Sequence, residues 1–186
     1  MLRLGLVLFA ICVVSGGLLS VVNCFTRGKV EQQKQRERQQ ALEEIMPQAA
    51  EFVGVPEKGV YYNALDKQGR VIGYCFLAAK QGYSSVIETM VGVDNRGVIS
   101  GIKILSQNET PGLGARIEET AGERTLLDAL SGKARSREKQ VPWFQAGFKG
   151  KRIEDIDSVD TITGATISSQ AVIDSIKQKV KQKVKR

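Results

Sequence analysis

Histidine is absent from this 186-residue chain. The absence excludes Ser-His and Cys-His nucleophilic catalysis and removes the commonest ligand of catalytic zinc. Cysteine is scarce, limited to Cys12, Cys24 and Cys75. With the first two in an apolar N-terminal stretch, the three form neither a disulfide framework nor a metal-ligand set, and they say little about redox compartment. Cys12 and Cys24 read as small hydrophobes, and Cys75 as a strand residue facing a packed side. Charge is missing from Leu4 to Phe25, although the chain as a whole carries +7. Aromatic residues are missing from the Lys-rich tail, where Lys177, Lys179, Lys181, Lys183, Lys185 and Arg186 crowd together. Without rings to stack on bases, the tail reads as a solvated helix end whose cations suit the C-terminal dipole, and no nucleic-acid partner is expected. If the chain does chemistry, the lack of histidine points to a group other than its own side chains as the carrier.

The uncharged stretch has its own meaning. As a helix, Leu4 to Phe25 would extend about 33 Å, against a hydrocarbon core of about 30 Å. Gly5, Ser15, Gly16, Gly17 and Ser20 supply the small residues of transmembrane packing faces. The stretch is long for a signal peptide and no small-x-small cleavage site follows it, so residues 1–26 read as an uncleaved membrane anchor. Arg3 precedes it, whereas Arg27, Lys29, Lys34, Arg36 and Arg38 follow. By charge alone, this places the rest of the chain in the cytoplasm. Residues 27–46 are rich in Gln, Glu, Lys and Arg and predict a polar helical linker ending at Pro47.

Residues 47–186 predict one α+β domain. Val60–Leu65, Asp66-Lys67-Gln68-Gly69 and Val71–Phe76 read as strand, turn, strand, as do Thr89–Val93, Asp94-Asn95-Arg96-Gly97 and Val98–Leu105. Asp66, Gly69 and Gly73 recur at the same spacing as Asp94, Gly97 and Gly101. Two hairpins of one antiparallel sheet account for this. Glu118–Leu130 and Ala171–Val184 carry helical spacing, a charged link spans Ser131–Gln140, and Trp143, Phe144 and Phe148 read as core. The domain is thus an antiparallel sheet with flanking helices.

Two segments stand out as candidate sites. In Glu109-Thr110-Pro111-Gly112-Leu113-Gly114, proline fixes one backbone angle while the glycines permit positive φ and close approach. Such a shaped loop suits something flat or bulky, although a plain turn has the same composition. In Asp160-Thr161-Ile162-Thr163-Gly164-Ala165-Thr166, a hydroxyl follows two residues of minimal bulk. Ser168-Ser169-Gln170 comes next, ahead of the helical pattern. Two readings stand: an exposed anchor beside a helix N-terminus where phosphate is welcome, or an ordinary loop feeding a capped helix.

Together with the anchor, the Gly82-Tyr83 segment and the Val93-Asp94…Gly97 hairpin, these motifs resemble the FMN-binding domain family. Within it they are similar to the G-type subunits of Rnf electron-transport complexes and to the C-type subunits of sodium-pumping NADH:quinone reductases. The resemblance implies FMN held by a phosphoester to Thr166 and attached by a separate flavin transferase that uses FAD as donor. Asp160, Thr163, Gly164 and Ala165 would complete the attachment motif with Thr166. Glu109, Thr110, Pro111, Gly112, Leu113 and Gly114, with Thr163, Gly164, Ala165 and Ser168, would surround the cofactor. It further implies an electron carrier within an ion-translocating ferredoxin:NAD oxidoreductase, in contact with the complex's other membrane subunits. In this family the flavin domain lies outside the cytoplasm, against the charge rule. The alternatives are a flavin-binding membrane regulator without electron transfer, and a component like the C-type subunit of the quinone reductase.

Overall fold

A computed structural model describes residues 2–55, 60–120 and 141–184. The chain divides into two compact units, Met1–Gln39 and Gln40–Arg186. Helix α1 covers Leu2–Ile45 without a break, so the predicted anchor and polar linker are one helix. It is long and apolar enough to cross a membrane. Within the first unit, Leu6, Phe9, Leu18, Leu19 and Phe25 are all exposed, as suits a segment whose solvent is lipid.

The second unit is built on a five-stranded antiparallel meander, in the order β1 to β5. Its strands are β1 Glu51–Gly54, β2 Tyr61–Leu65, β3 Val71–Gln81, β4 Val86–Asp94 and β5 Ile99–Ser106. Both predicted hairpins are present, and the Asp-x-x-Gly echo has a common cause. Asp66 Oδ1 accepts from the amides of Gln68 and Arg70 at 2.8 and 2.9 Å. Asp94 Oδ1 does the same for Arg96 and Val98 at 2.8 and 2.9 Å. Gly69 and Gly97 take φ of +76° and +79°, which the turn requires of them. Strand β1 goes beyond the sequence reading: at four mostly exposed residues it has too little alternation to be read locally.

Both faces of the sheet are covered. Alternation along β3 sends Phe76 and Ala78 to one side and Cys75 and Leu77 to the other. The second side meets Ala41, Leu42, Ile45 and Met46, the end of α1 and the residue after it. These four belong to the second unit, so the compact unit begins ahead of residue 47. Gly73 and Gly101, the repeated glycines, lie beneath this helix end. A Cβ on Gly73 would stand 2.4 Å from the Val93 carbonyl and 3.0 Å from Met46, and one on Gly101 would stand 3.3 Å from the Ile45 carbonyl. The repeat therefore records close approach as well as turn chemistry.

The first side of the sheet is covered by the C-terminal segments. These are the short helix α2 (Trp143–Ala146), a 3₁₀ segment (Ile153–Ser158) and the 19-residue helix α3 (Thr166–Val184). Phe144 and Phe148 are buried here edge to face, with ring centroids 5.2 Å apart. Trp143 departs from the core assignment: it is 39% exposed, touching Phe144 by its edge. Helix α3 begins at Thr166 rather than Ala171, so Ser168-Ser169-Gln170 belongs to its first turns. Ile173 and Ile176 are buried and Val180 packs beside them. Leu126, Leu127, Leu130, the 131–140 link and the side chain of Val184 lie outside the described residues.

Candidate functional site

The β3–β4 turn, the loop after β5 and the start of α3 meet at one cleft of about 280 Å³. Its walls are Tyr83, Thr110, Leu113, Gly114, Gly164, Ala165, Thr166, Ile167 and Ser168. The two sequence motifs are thus brought together by the fold. Pro111, Gly112 and Thr163 are exposed beside the cleft without lining it, and Asp160 is exposed.

The Glu109–Gly114 loop has a mechanical logic. The Leu113 amide donates to the Thr110 carbonyl at 3.1 Å across Pro111-Gly112, and Gly112 has φ of +74°. This is the proline-then-glycine order that a type II turn demands. Gly114 answers a different need. A Cβ there would lie 2.6 Å from both Glu109 Oε2 and Ser168 Oγ, so only glycine lets the loop settle against α3.

Glu109 is the hub beneath the cleft. It is buried, and its side chain faces inward. Oε1 accepts from the Ser84 amide at 3.0 Å, the Ser85 amide at 2.9 Å and the Ser85 hydroxyl at 3.0 Å. Oε2 accepts from the Tyr83 amide at 3.1 Å and the Ser168 hydroxyl at 2.6 Å. Burial pushes its pKa up, but the bonds from Ser168, Ser85 and Ser84 outweigh burial and lower it to about 2. The carboxylate is therefore charged at every physiological pH. It ties three chain segments together, with its oxygens already engaged by these donors.

Helix α3 starts without a side-chain cap of the usual kind. The Ser169 amide donates to the Ala165 carbonyl at 2.9 Å, which puts Ala165 at the N-cap position, where it has no acceptor to offer. The amides of Thr166, Ile167 and Ser168 precede the intrahelical ladder and have no partner within it. The serine hydroxyls of this turn are spent elsewhere. Ser168 binds Glu109, and Ser169 Oγ accepts from the Ile162 amide at 3.1 Å. Thr166, by contrast, is exposed at the cleft wall. Just upstream, Gly164 has φ of +85° and Ala165 is buried, so the loop turns sharply to deliver Thr166 to the helix.

Arg116 steadies the same loop, a role not read from the sequence. Its Nη1 donates to the Thr163 carbonyl at 2.9 Å while its Nε pairs with Glu119 at 3.0 Å. Tyr83 and Ile167 likewise carry no cofactor assignment from the sequence, although both are large, exposed and line the cleft. For Tyr83 the available signal is an aromatic residue following a turn glycine. Arg116 has no local signal for this role, because the Thr163 carbonyl lies 47 positions further along the chain.

The profile of the FMN-binding domain family matches residues 82–181, which takes in every wall of this cleft. A profile of the RnfG N-terminal region matches residues 1–45. The chain belongs to the FMN-binding domain family. The G subunit of the Na(+)-translocating ferredoxin:NAD(+) oxidoreductase complex of Acetobacterium woodii is 31% identical over 96% of this chain and 89% of its own length. The G subunit of the ion-translocating oxidoreductase complex of Methanosarcina acetivorans is 29% identical over 89% of this chain and 85% of its own. That of Shewanella piezotolerans is 29% identical, covering 95% and 86%. Among solved structures, NqrC of Shewanella oneidensis superposes with a TM-score of 0.48 at 18% identity, over 67% of this chain and 60% of that one.

The FMN-binding character of this family agrees with the local chemistry. Amides at a helix N-terminus that no described residue engages suit a phosphate. Exposed Tyr83, Leu113 and Ile167 suit an apolar ring system at the mouth of the same cleft.

Proposed function

We propose that this chain is a single-pass membrane protein that carries FMN covalently on Thr166 and relays electrons within an Rnf-type, ion-translocating ferredoxin:NAD oxidoreductase complex. The observation that carries the reading is the state of the hydroxyls at the start of α3. Ser168 and Ser169 are buried and bonded, whereas Thr166 is exposed on the cleft at the helix's first position. A phosphoester there sits beside first-turn amides that no described residue engages, an arrangement that stabilises its negative charge by about 0.3–1 kcal/mol. Bound FMN supplies the one- and two-electron redox chemistry that a chain without histidine and with a single buried cysteine in its domain lacks.

The residues around it divide the work. Thr110, Leu113, Gly114, Gly164, Ala165 and Ser168 form walls, and Pro111 and Gly112 shape the turn that presents Leu113. Glu109 holds turn, loop and helix in register from beneath. No base adjoins the Thr166 hydroxyl in the sequence, and a threonine hydroxyl is a weak nucleophile unaided. Attachment by a flavin transferase, which reads Asp160, Thr163, Gly164 and Ala165 on the exposed loop, fits that lack. Residues 1–26 serve as the anchor, and the flavin domain lies on the extracytoplasmic side, in contact with the complex's other membrane subunits.

The test is direct. The full chain, co-produced with a flavin transferase and denatured in acid, should show flavin fluorescence that stays with the polypeptide, and Thr166→Ala should lose it. Retained flavin in that variant refutes the attachment site. For the side of the membrane, external protease should reach the domain in spheroplasts; protection there refutes the assignment.

A further inference from the structure

We infer that Tyr83 is the ring-contact residue of this site: its phenol forms the wall on which the isoalloxazine of a flavin carried by Thr166 lies, and it quenches that flavin's emission. The inference rests on the reading of Thr166 as the attachment residue and adds a partner for the ring.

Three observations lead here. First, Tyr83 is 70% exposed, and it lines the cleft that Thr166 also lines. Leu113 and Ile167, at 52% and 56% exposure, border the same space. Three large, exposed hydrophobic residues from three separate segments thus border one opening, and a flat apolar ligand is what would cover them.

Second, the exposed ring is mounted on a rigid turn. The Gly82 amide closes the turn on the Ser85 carbonyl at 2.8 Å. The next three amides, of Tyr83, Ser84 and Ser85, all donate to the Glu109 carboxylate. A larger residue at Gly82 would force its neighbours to shift, since a Cβ would lie 2.7 Å from Ile87 Cδ1 and 2.9 Å from Glu109 Oε1. An aromatic residue held this firmly at the surface loses little further backbone freedom on meeting a ligand.

Third, one atom links the wall to the attachment point. Glu109 Oε2 accepts from both the Tyr83 amide and the Ser168 hydroxyl. Ser168 stands two residues beyond Thr166 on the same helical turn. The Tyr83 backbone and the Thr166 backbone are thus held at a set separation by a shared carboxylate oxygen. Neither Leu113 nor Ile167 has an aromatic face, so Tyr83 is the stacking partner among the described cleft walls.

A phenol in contact with a photoexcited flavin donates one electron to it, and the electron returns as the pair decays. Both groups end unchanged and the emission is lost. Phenylalanine stacks equally well but does not donate in this way, which separates contact from quenching.

The experiment uses the full chain in detergent, flavinylated by co-production with a flavin transferase, as wild type, Tyr83→Phe and Tyr83→Leu. Attached flavin is first measured on acid-denatured polypeptide. With equal attachment, the fluorescence lifetime of the folded protein should lengthen severalfold in both variants. The bimolecular rate constant of iodide quenching, the Stern–Volmer slope divided by the lifetime, should stay at the wild-type value in Tyr83→Phe and rise severalfold in Tyr83→Leu, which uncovers the ring. Equal attachment with unchanged lifetime and iodide access overturns the inference and leaves the Thr166 reading standing. Loss of attachment in the Tyr83 variants alone also overturns it, since Tyr83 then serves maturation. Wild-type protein without bound flavin, or flavin retained in Thr166→Ala, instead overturns the attachment reading itself.

Discussion

Replacing Glu109 by glutamine should remove most of what holds the cleft together, and the loss should itself depend on pH. The carboxylate accepts bonds from three backbone amides and two hydroxyls, at 2.6 to 3.1 Å. A glutamine keeps one accepting oxygen. Its NH₂ can still donate to Ser168 Oγ, but at that position it confronts the Tyr83 amide, donor against donor. The lowering of the Glu109 pKa from 4.5 to about 2 gives the scale. At ~1.4 kcal/mol per unit, it corresponds to about 3 kcal/mol of folding stability. The group's native pKa is depressed, so this contribution is complete above pH 4.5 and drains away as pH falls toward 2. Glu109→Gln should therefore be about 3 kcal/mol less stable than wild type at pH 7, with the gap closing progressively below pH 4.5. Asp66, Asp94 and Asp174 also have lowered pKa values, but both proteins share them and they cancel in the difference. Urea unfolding of the full chain in detergent measures it, followed by the fluorescence of Trp143, the chain's single tryptophan. A gap that is small at pH 7, or that stays constant down to about pH 3, refutes the assignment of Glu109 as a charged structural hub.

Other outcomes follow from the same geometry. Gly114→Ala should cost about 1–3 kcal/mol by forcing a methyl group between Glu109 and Ser168, and should lower the yield of attached flavin. A fully flavinylated variant of wild-type stability would show that this contact is dispensable. Phe148→Ala should destabilise the domain by about 3–5 kcal/mol, because a fully buried ring leaves a cavity beside Phe144; urea unfolding reports it. Arg116→Ala should leave stability within about 1 kcal/mol of wild type, since the side chain is partly exposed. It should nonetheless raise proteolytic nicking at Thr163-Gly164, whose carbonyl it holds. Cys75 is buried, and burial pushes its pKa up to about 12. In a Cys12→Ser/Cys24→Ser background it should resist maleimide until the protein is unfolded, and prompt native labelling would contradict its place under the sheet.

The hairpins are legible because their cause is local. Asp66 and Asp94 bind amides two and four residues ahead, so composition and spacing suffice. The long helix is legible for a similar reason: a run without charge, then a run of helix formers, needs no tertiary partner to be recognised. The family, too, can be read directly from the order of residues, as can the two segments that meet at the cleft. Apolar spacing starts helix α3 five residues too late, because Thr-Ile-Ser-Ser is a weak helical opening by propensity. Tertiary bonds override that weakness by drawing the Ser168 hydroxyl to Glu109 and the Ser169 hydroxyl to Ile162. Trp143 escapes the core because hydrophobicity alone does not say which of three neighbouring aromatic residues points outward.

What the chain determines by itself is thus the anchor, the turns and the candidate threonine, each a matter of neighbours in sequence. What only the folded state decides is the cleft. Its hub brings together Tyr83, Glu109 and Ser168, whose separations of 26 and 59 positions leave no trace in any local pattern. Buried charge explains why that assembly is specific: once Glu109 leaves water, every lone pair needs a donor, and these segments supply them.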